Sequence, residues 1–154
     1  MNLSLPKSLW SYWLLTVSVL IVIGGLEFSL VMPYFFPETL GVFYNEVDSS
    51  TSFKDLNPES RQAFFWVIQV TGAAMVGWGI VMVSGSLALV RGEKSPYFIK
   101  GLALALVSWY LLDTSLSLVA GSTTNAILNT VFLVLTLPPV VGLLLSEHSS
   151  AQMN

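Results

Sequence analysis

The stretch from Ala63 to Val90, AFFWVIQVTGAAMVGWGIVMVSGSLALV, contains no charged residue and decides the class of the fold. About 20 apolar residues carry an α-helix across the hydrocarbon core of a bilayer, so this stretch predicts a membrane-spanning helix. Within it, Ala73 and Gly77 lie four residues apart, and small residues at that spacing let helix backbones approach closely. We expect this pair to pack inside a helical bundle rather than to form a dimerisation face.

The composition of the whole chain also indicates a membrane protein. Of its 154 residues, 54% are hydrophobic and 10% are charged, with a mean hydropathy of +0.74, whereas about 25% of residues are charged in ordinary globular proteins. The absence of cysteine excludes disulfides, thiolate metal sites and thiol redox chemistry. With 6 basic and 9 acidic residues, the chain has too few charges for a nucleic-acid-binding surface.

Three further apolar segments accompany Ala63–Val90, one before it and two after it. We therefore predict an all-α integral membrane protein, a four-helix transmembrane bundle with up-down topology, as one domain over residues 1–154. The predicted spans lie at about 9–32, 63–90, 101–120 and 125–145. The first span is too long for a signal peptide and should be retained. In the last span, Pro138-Pro139 should kink the helix or loosen its last turns, because proline lacks a backbone donor.

Charge is concentrated between the spans and predicts the orientation. Residues 33–62 hold most of it, and we expect them to form an extracytoplasmic loop with one or two short helical pieces. Lys7 and the basic turn at 91–100 share one side of the bundle, and Lys54 and Arg61 share the other. The positive-inside rule then predicts a multi-pass protein of the plasma or inner membrane with both termini in the cytoplasm.

Four polar residues interrupt the spans at a shared depth. Glu27, Gln69, Asp113 and Asn129 lie roughly 8 to 12 Å from the span ends on one side, at 1.5 Å of rise per residue. A carboxylate in hydrocarbon is costly and by default indicates a functional site. No span contains Lys, Arg or His. The two acids are therefore protonated, hold a cation, or are reached by Arg61 from the mouth of the bundle.

These residues and their neighbours at helical spacing predict a polar pocket below the extracytoplasmic mouth. The candidate ligand-binding residues are Glu27, Gln69, Trp109, Tyr110, Asp113, Ser117, Asn125 and Asn129. The amides could instead be interhelical hydrogen-bonding groups, and the acids could be structural. The sequence shows no catalytic constellation, metal-ligand spacing or phosphate loop, so we expect no catalytic residue, no metal and no cofactor.

The glycine-rich second predicted helix (Gly72 to Gly79), followed by Trp109, Asp113 and Gly121, resembles small bacterial four-helix membrane proteins of the BphX-like kind. The resemblance covers the C-terminal two thirds of the chain and implies a fold but no activity. Glu27 in the first helix is also similar to the glutamate of small multidrug transporters, which binds protons and cations in a dimer. The long first loop and the acid in the third helix depart from the transporter pattern.

We expect a non-catalytic membrane protein that binds a small apolar or amphipathic ligand, such as a lipid or a quinone-like molecule, or that serves as an accessory subunit of a membrane complex. Its expected partners are the bilayer, a lipid-like molecule, and another membrane protein or a second copy. One alternative is a proton- or cation-coupled transporter that uses Glu27 and Asp113. Another is an intramembrane lipid-modifying enzyme that uses these acids as general acid and base.

Overall fold

The computed structural model of the protein describes the backbone from Lys7 to Gln152 and the side chains from Lys7 to Glu147, so both ends of the predicted 1–154 domain lie outside the described residues. Every regular element in this part of the chain is helical. The helices are α1 (Lys7–Leu26), α2 (Met32–Phe35), α3 (Pro37–Val47), α4 (Pro58–Val90), α5 (Pro96–Val119) and α6 (Thr123–Gln152). A π-helical turn, Glu27–Val31, joins α1 to α2, and a 3-10 turn, Phe53–Asp55, precedes α4.

Four of these helical segments are long and apolar enough to cross a membrane, which confirms the predicted all-helical fold with four long apolar helices. The segments are Lys7–Phe35, Pro58–Val90, Pro96–Val119 and Thr123–Glu147. Each range predicted from the sequence overlaps one of these segments and begins two to five residues after it, and the third, 101–120, runs one residue beyond Val119.

Local hydrogen bonds explain where the long helices begin and end. Asn57 caps α4, since its Oδ1 accepts the backbone N–H of Ser60 at 2.8 Å. Gly92 follows α4 and Gly121 follows α5, with φ of 85° and 82°. In both turns the N–H after the glycine bonds a carbonyl five residues earlier, which is the Schellman arrangement that ends helices. These turns make the connections from α4 to α5 and from α5 to α6 short.

Glycines bring α1 and α4 into backbone contact. A Cβ added at Gly72 would lie 2.6 Å from both the carbonyl oxygen of Gly25 and the backbone nitrogen of Ser29, so only glycine fits there. Two turns along α4, Gly79 leaves room for Val22 in the same way. Helix backbones that approach this closely gain van der Waals contact along their whole crossing.

The small pair singled out in the sequence faces the other way. Ala73 and Gly77 are both exposed, and a Cβ added at Gly77 would meet no atom within 4 Å. The prediction that this pair packs inside the bundle is wrong. The α1 face of α4 is set by Gly72 and Gly79, which are two turns apart, and Ala73 and Gly77 are rotated away from it.

The remaining contacts form an incomplete ring of helices. α1 packs against α4 and α6, and α5 packs against α6, but the backbones of α4 and α5 scarcely approach each other. Aromatic side chains span that gap, with the rings of Trp78 and Trp109 6.0 Å apart. The buried core beneath consists of Leu14, Val17, Ile21, Met82, Leu89, Ile99, Leu102, Leu106, Val140 and Leu143.

The two prolines of α6 lie inside a continuous helix, since α6 runs on to Gln152. Pro139 has no N–H to donate to the carbonyl of Leu135, four residues earlier. The indole nitrogen of Trp13, on α1, donates to that carbonyl oxygen at 3.1 Å. A side chain of α1 therefore supplies the hydrogen bond that proline removes from α6.

We predict opposite effects for two glycine substitutions on α4. Gly72→Ala should destabilise the protein by about 1–3 kcal/mol, because the added methyl overlaps the backbone of α1. Gly77→Ala, the matched control, should leave the free energy of unfolding unchanged or raise it by up to about 1 kcal/mol, since alanine favours a helix. Denaturant unfolding in detergent measures both, and equal effects would contradict the α1–α4 contact.

A second prediction concerns the indole of Trp13. Trp13→Phe should destabilise the protein by about 1 kcal/mol, because the Leu135 carbonyl then loses its donor. In a Pro139→Ala background the backbone N–H of residue 139 bonds that carbonyl, so the same change should cost less. Denaturant unfolding of all four proteins gives the double-mutant cycle. Additive effects would show that the indole N–H and Pro139 act independently.

Candidate functional site

A polar cluster lies between α5 and α6, at the end of the bundle near the 33–62 segment. Asp113 accepts a hydrogen bond from Nδ2 of Asn129 at 3.1 Å and one from Nδ2 of Asn125 at 3.5 Å. Asn125 also donates to Oγ of Ser117 at 2.7 Å. The spacing of Asn125 and Asn129, four residues on one helix face, brings both amides to the same carboxylate.

Two more of the expected residues flank this cluster. Tyr110 and Thr130 have their hydroxyl oxygens 3.3 Å apart across the same pair of helices. Trp109 turns instead toward α4 and α6, with its ring 5.1 Å from that of Phe132. The polar contacts therefore end at an aromatic layer, and each of them ties α5 to α6.

The structure does not bring Glu27 and Gln69 to the cluster, so the prediction of one pocket formed by all eight residues is wrong. Gln69 donates from Nε2 to the Tyr34 hydroxyl at 3.2 Å. Glu27 is exposed, and its carboxylate forms no hydrogen bond or ion pair with the side chains that the structure describes. The reason is helix rotation: Gly25 and Ser29 face α4, and Glu27, two residues from each, faces outward.

One alternative from the sequence has Arg61 reach down to an intramembrane acid. The structure instead places Arg61 against Phe53. Its guanidinium lies 4.7 Å above the centre of the Phe53 ring and donates to the Phe53 carbonyl oxygen at 3.2 Å. Phe53 is 1% exposed and packs among Tyr44, Phe64 and Phe65. Arg61 thus stabilises the segment between α3 and α4 instead of neutralising Glu27 or Asp113.

That segment carries a contact that the sequence did not predict. The carboxylate of Glu46, on α3, accepts hydrogen bonds from the backbone N–H and the hydroxyl of Thr124, at 2.9 and 2.6 Å, and from Ser122 Oγ at 3.3 Å. These bonds cap the first turn of α6, where backbone donors are otherwise free. They lower the pKa of Glu46, and the Thr124 hydroxyl has the largest effect. The Gly121-Ser122 turn signals a helix start, but nothing in the sequence selects Glu46 among the loop acids.

The gap between α4 and α5 forms a groove at the opposite end of the bundle. Its volume is about 240 Å³, and its walls are apolar, formed among others by Trp78, Met82, Phe98 and Leu102. Val81 and Tyr97, at its edge, are 61% and 89% exposed, so the groove opens sideways. Gly101 lines it as well, and a Cβ there would meet no atom within 4 Å. Sequence reasoning missed this groove, because it depends on how far α4 and α5 stand apart.

The capping bonds of Glu46 predict a loss of stability in acid. Because the folded-state pKa lies below the ordinary value of 4.5, the ionised carboxylate stabilises the fold above that pH. The stabilisation is lost as pH falls through the lowered pKa. Wild type should therefore unfold at a higher temperature than Glu46→Gln near pH 7, and the difference should narrow as the pH falls below 4.5.

Thermal unfolding in a nonionic detergent, measured from about pH 7 to about pH 3.5, checks this expectation. Glu38→Gln is the control, because the Glu38 carboxylate is exposed and its nearest cation, Lys54 Nζ, lies 4.0 Å away. A gap between wild type and Glu46→Gln that stays constant across this pH range would count against the cap.

Comparison of the chain with protein-family models, curated proteins and solved structures finds no match. The resemblance to BphX-like proteins stays a prediction. The function is therefore inferred from the geometry of the polar cluster, the exposed acid and the groove.

Proposed function

We propose that the protein is a non-catalytic, multi-pass membrane protein that binds a small amphipathic molecule in the groove between α4 and α5. The observation that supports this function is an apolar groove of about 240 Å³ that opens sideways between two long apolar helices. The proposed orientation places both termini and the α4–α5 turn in the cytoplasm, following the distribution of Lys and Arg. The groove then faces the cytoplasmic leaflet.

The groove is large enough for part of a ligand but too small for a whole drug-sized molecule. Pockets that enclose a drug-sized molecule usually measure about 300–1,000 Å³, more than is available here. An alkyl or acyl chain fits such a space segment by segment, with the rest of the molecule remaining among the lipids. The aromatic and aliphatic walls offer contact to a chain and no acid or histidine to a reacting group.

The polar cluster supports a packing role more than a chemical one. Both oxygens of Asp113 accept hydrogen bonds from asparagine amides, which themselves belong to the neighbouring helix. A transporter or an enzyme built on two acids needs Glu27 and Asp113 to act together. Glu27 faces outward from α1, whereas Asp113 lies between α5 and α6. The binding function needs neither acid.

A second candidate, an accessory subunit, is favoured by Glu27 itself. The exposed carboxylate lies near exposed apolar side chains of α1 and of the π-helical turn, including Ile23, Leu26 and Leu30. Placing a charged group in hydrocarbon costs about 2.5 kcal/mol or more. A partner that shields the Glu27 carboxylate from lipid would therefore form a stable complex. A membrane subunit with a hydrogen-bond donor or cation at this depth fits the Glu27 face.

We predict that Gly101→Leu abolishes ligand binding without loss of stability. The leucine side chain enters open space in the groove and fills it. Native mass spectrometry of gently solubilised wild type should show a discrete small-molecule adduct that is missing from Gly101→Leu. Ala73→Leu, on an exposed part of α4 outside the groove, is the matched control and should keep the adduct.

The unfolding temperature of Gly101→Leu should equal or exceed that of wild type, because leucine favours a helix more than glycine does. An adduct of the same mass in all three proteins, or in none, would contradict binding in the groove. If the wild type instead retains another protein that Glu27→Gln releases, the accessory-subunit function is the better one.

A further inference from the structure

The α5 wall of the groove begins at Tyr97, within the most basic stretch of the chain, residues 91–100. Arg91, Lys94 and Lys100 lie there with one acid, Glu93, so three positive charges and one negative charge leave a net charge of +2. All four side chains are exposed. The ion pairs recorded among the described residues join Lys7 to Glu147 and Lys54 to Glu38, and neither involves this turn. The three cations are therefore available to an external anion.

Arg91 and Lys100 lie at the ends of the two helices that form the groove. Lys100 directly precedes Gly101, which lines the groove, and lies about 6 Å along α5 from its first residue. Arg91 directly follows α4, and Gly92 turns the chain there with a φ of 85°. The bond from the Glu93 N–H to the Ala88 carbonyl, at 3.0 Å, fixes that turn. Positive charge at the surface would face the headgroup of an anionic lipid, and the apolar groove below it would face an acyl chain.

The free energy that makes lipid binding selective has to come from the polar headgroup. In a bilayer a lipid chain is already surrounded by hydrocarbon, so moving it into an apolar groove gains little from the hydrophobic effect. Selective binding therefore depends on the headgroup. Basic side chains between helices at the cytoplasmic surface attract anionic headgroups, and each contributes about 1 kcal/mol, equal to about fivefold in affinity.

We propose that the groove binds an anionic phospholipid, with one acyl chain between α4 and α5 and its phosphate near Lys100, Lys94 and Arg91. This inference rests on the proposed binding function and adds the chemical class of the ligand. The lipid is preferred over a free phosphate compound because the groove supplies apolar walls for a chain.

The test compares two synthetic lipids with identical chains. Delipidated protein in nonionic detergent is titrated with phosphatidylglycerol and with phosphatidylcholine, and bound lipid is counted by native mass spectrometry. Wild type should bind phosphatidylglycerol at least about fivefold more tightly. Lys100→Gln should reduce this preference by about fivefold, whereas Lys54→Gln, the matched loss of a cation at the other end of the bundle, should leave it unchanged. Glu93→Gln should increase the preference.

The outcomes separate the two proposals. If both lipids bind wild type equally and Gly101→Leu abolishes both, the groove binds chains and the anionic headgroup is overturned. If neither lipid binds, the proposed function itself fails. An equal loss of preference in Lys54→Gln and Lys100→Gln would show general attraction to the protein and overturn the local site. Displacement of the lipid by soluble glycerol phosphate would assign the cations to a free phosphate compound.

Discussion

The backbone contact between Gly25 and Gly72 fixes most of what distinguishes this bundle. It brings the backbones of α1 and α4 together where only glycine fits, and it sets the rotation of both helices. Glu27 then points outward, and Trp78 turns toward α5 and α6, where its ring lies 6.0 Å from that of Trp109. α5 is held by α6 instead of by α4, so the fourth side of the ring stays open. The groove forms because α1 and α4 pack tightly, whereas α4 and α5 pack loosely.

Polar groups connect several elements at the end of the bundle near the 33–62 segment. Asp113 and the asparagines join α5 to α6, and Glu46 joins α3 to the start of α6. In an apolar environment such bonds are each worth about 1 kcal/mol, but they select one rotation and one register among many that apolar side chains would allow. The polar cluster thus gives α5 and α6 a defined alignment.

The sequence predicts the parts of this structure that depend on length and local chemistry. Apolar length predicts the long helices, and the Asn125–Asn129 spacing and shared depth indicate a common partner in Asp113. The sequence does not predict helix rotation, because α1 and α4 are apolar around their whole circumference. Depth alone therefore groups Glu27 and Gln69 with Asp113, and spacing alone points to Ala73 with Gly77, although Gly72 and Gly79 form the contact with α1. The groove depends on the distance between α4 and α5, which no local pattern encodes.

The bond from Trp13 to the Leu135 carbonyl links the order of synthesis to the order of assembly. An unpaired carbonyl is costly where no water can reach it, and the proline that leaves this one without a donor belongs to α6. The donor belongs to α1, 122 residues earlier in the chain. A ribosome makes α1 long before α6, so the donor is already present when α6 arrives with its unpaired carbonyl. The Leu135 carbonyl thus acquires its hydrogen bond only when α6 packs against α1.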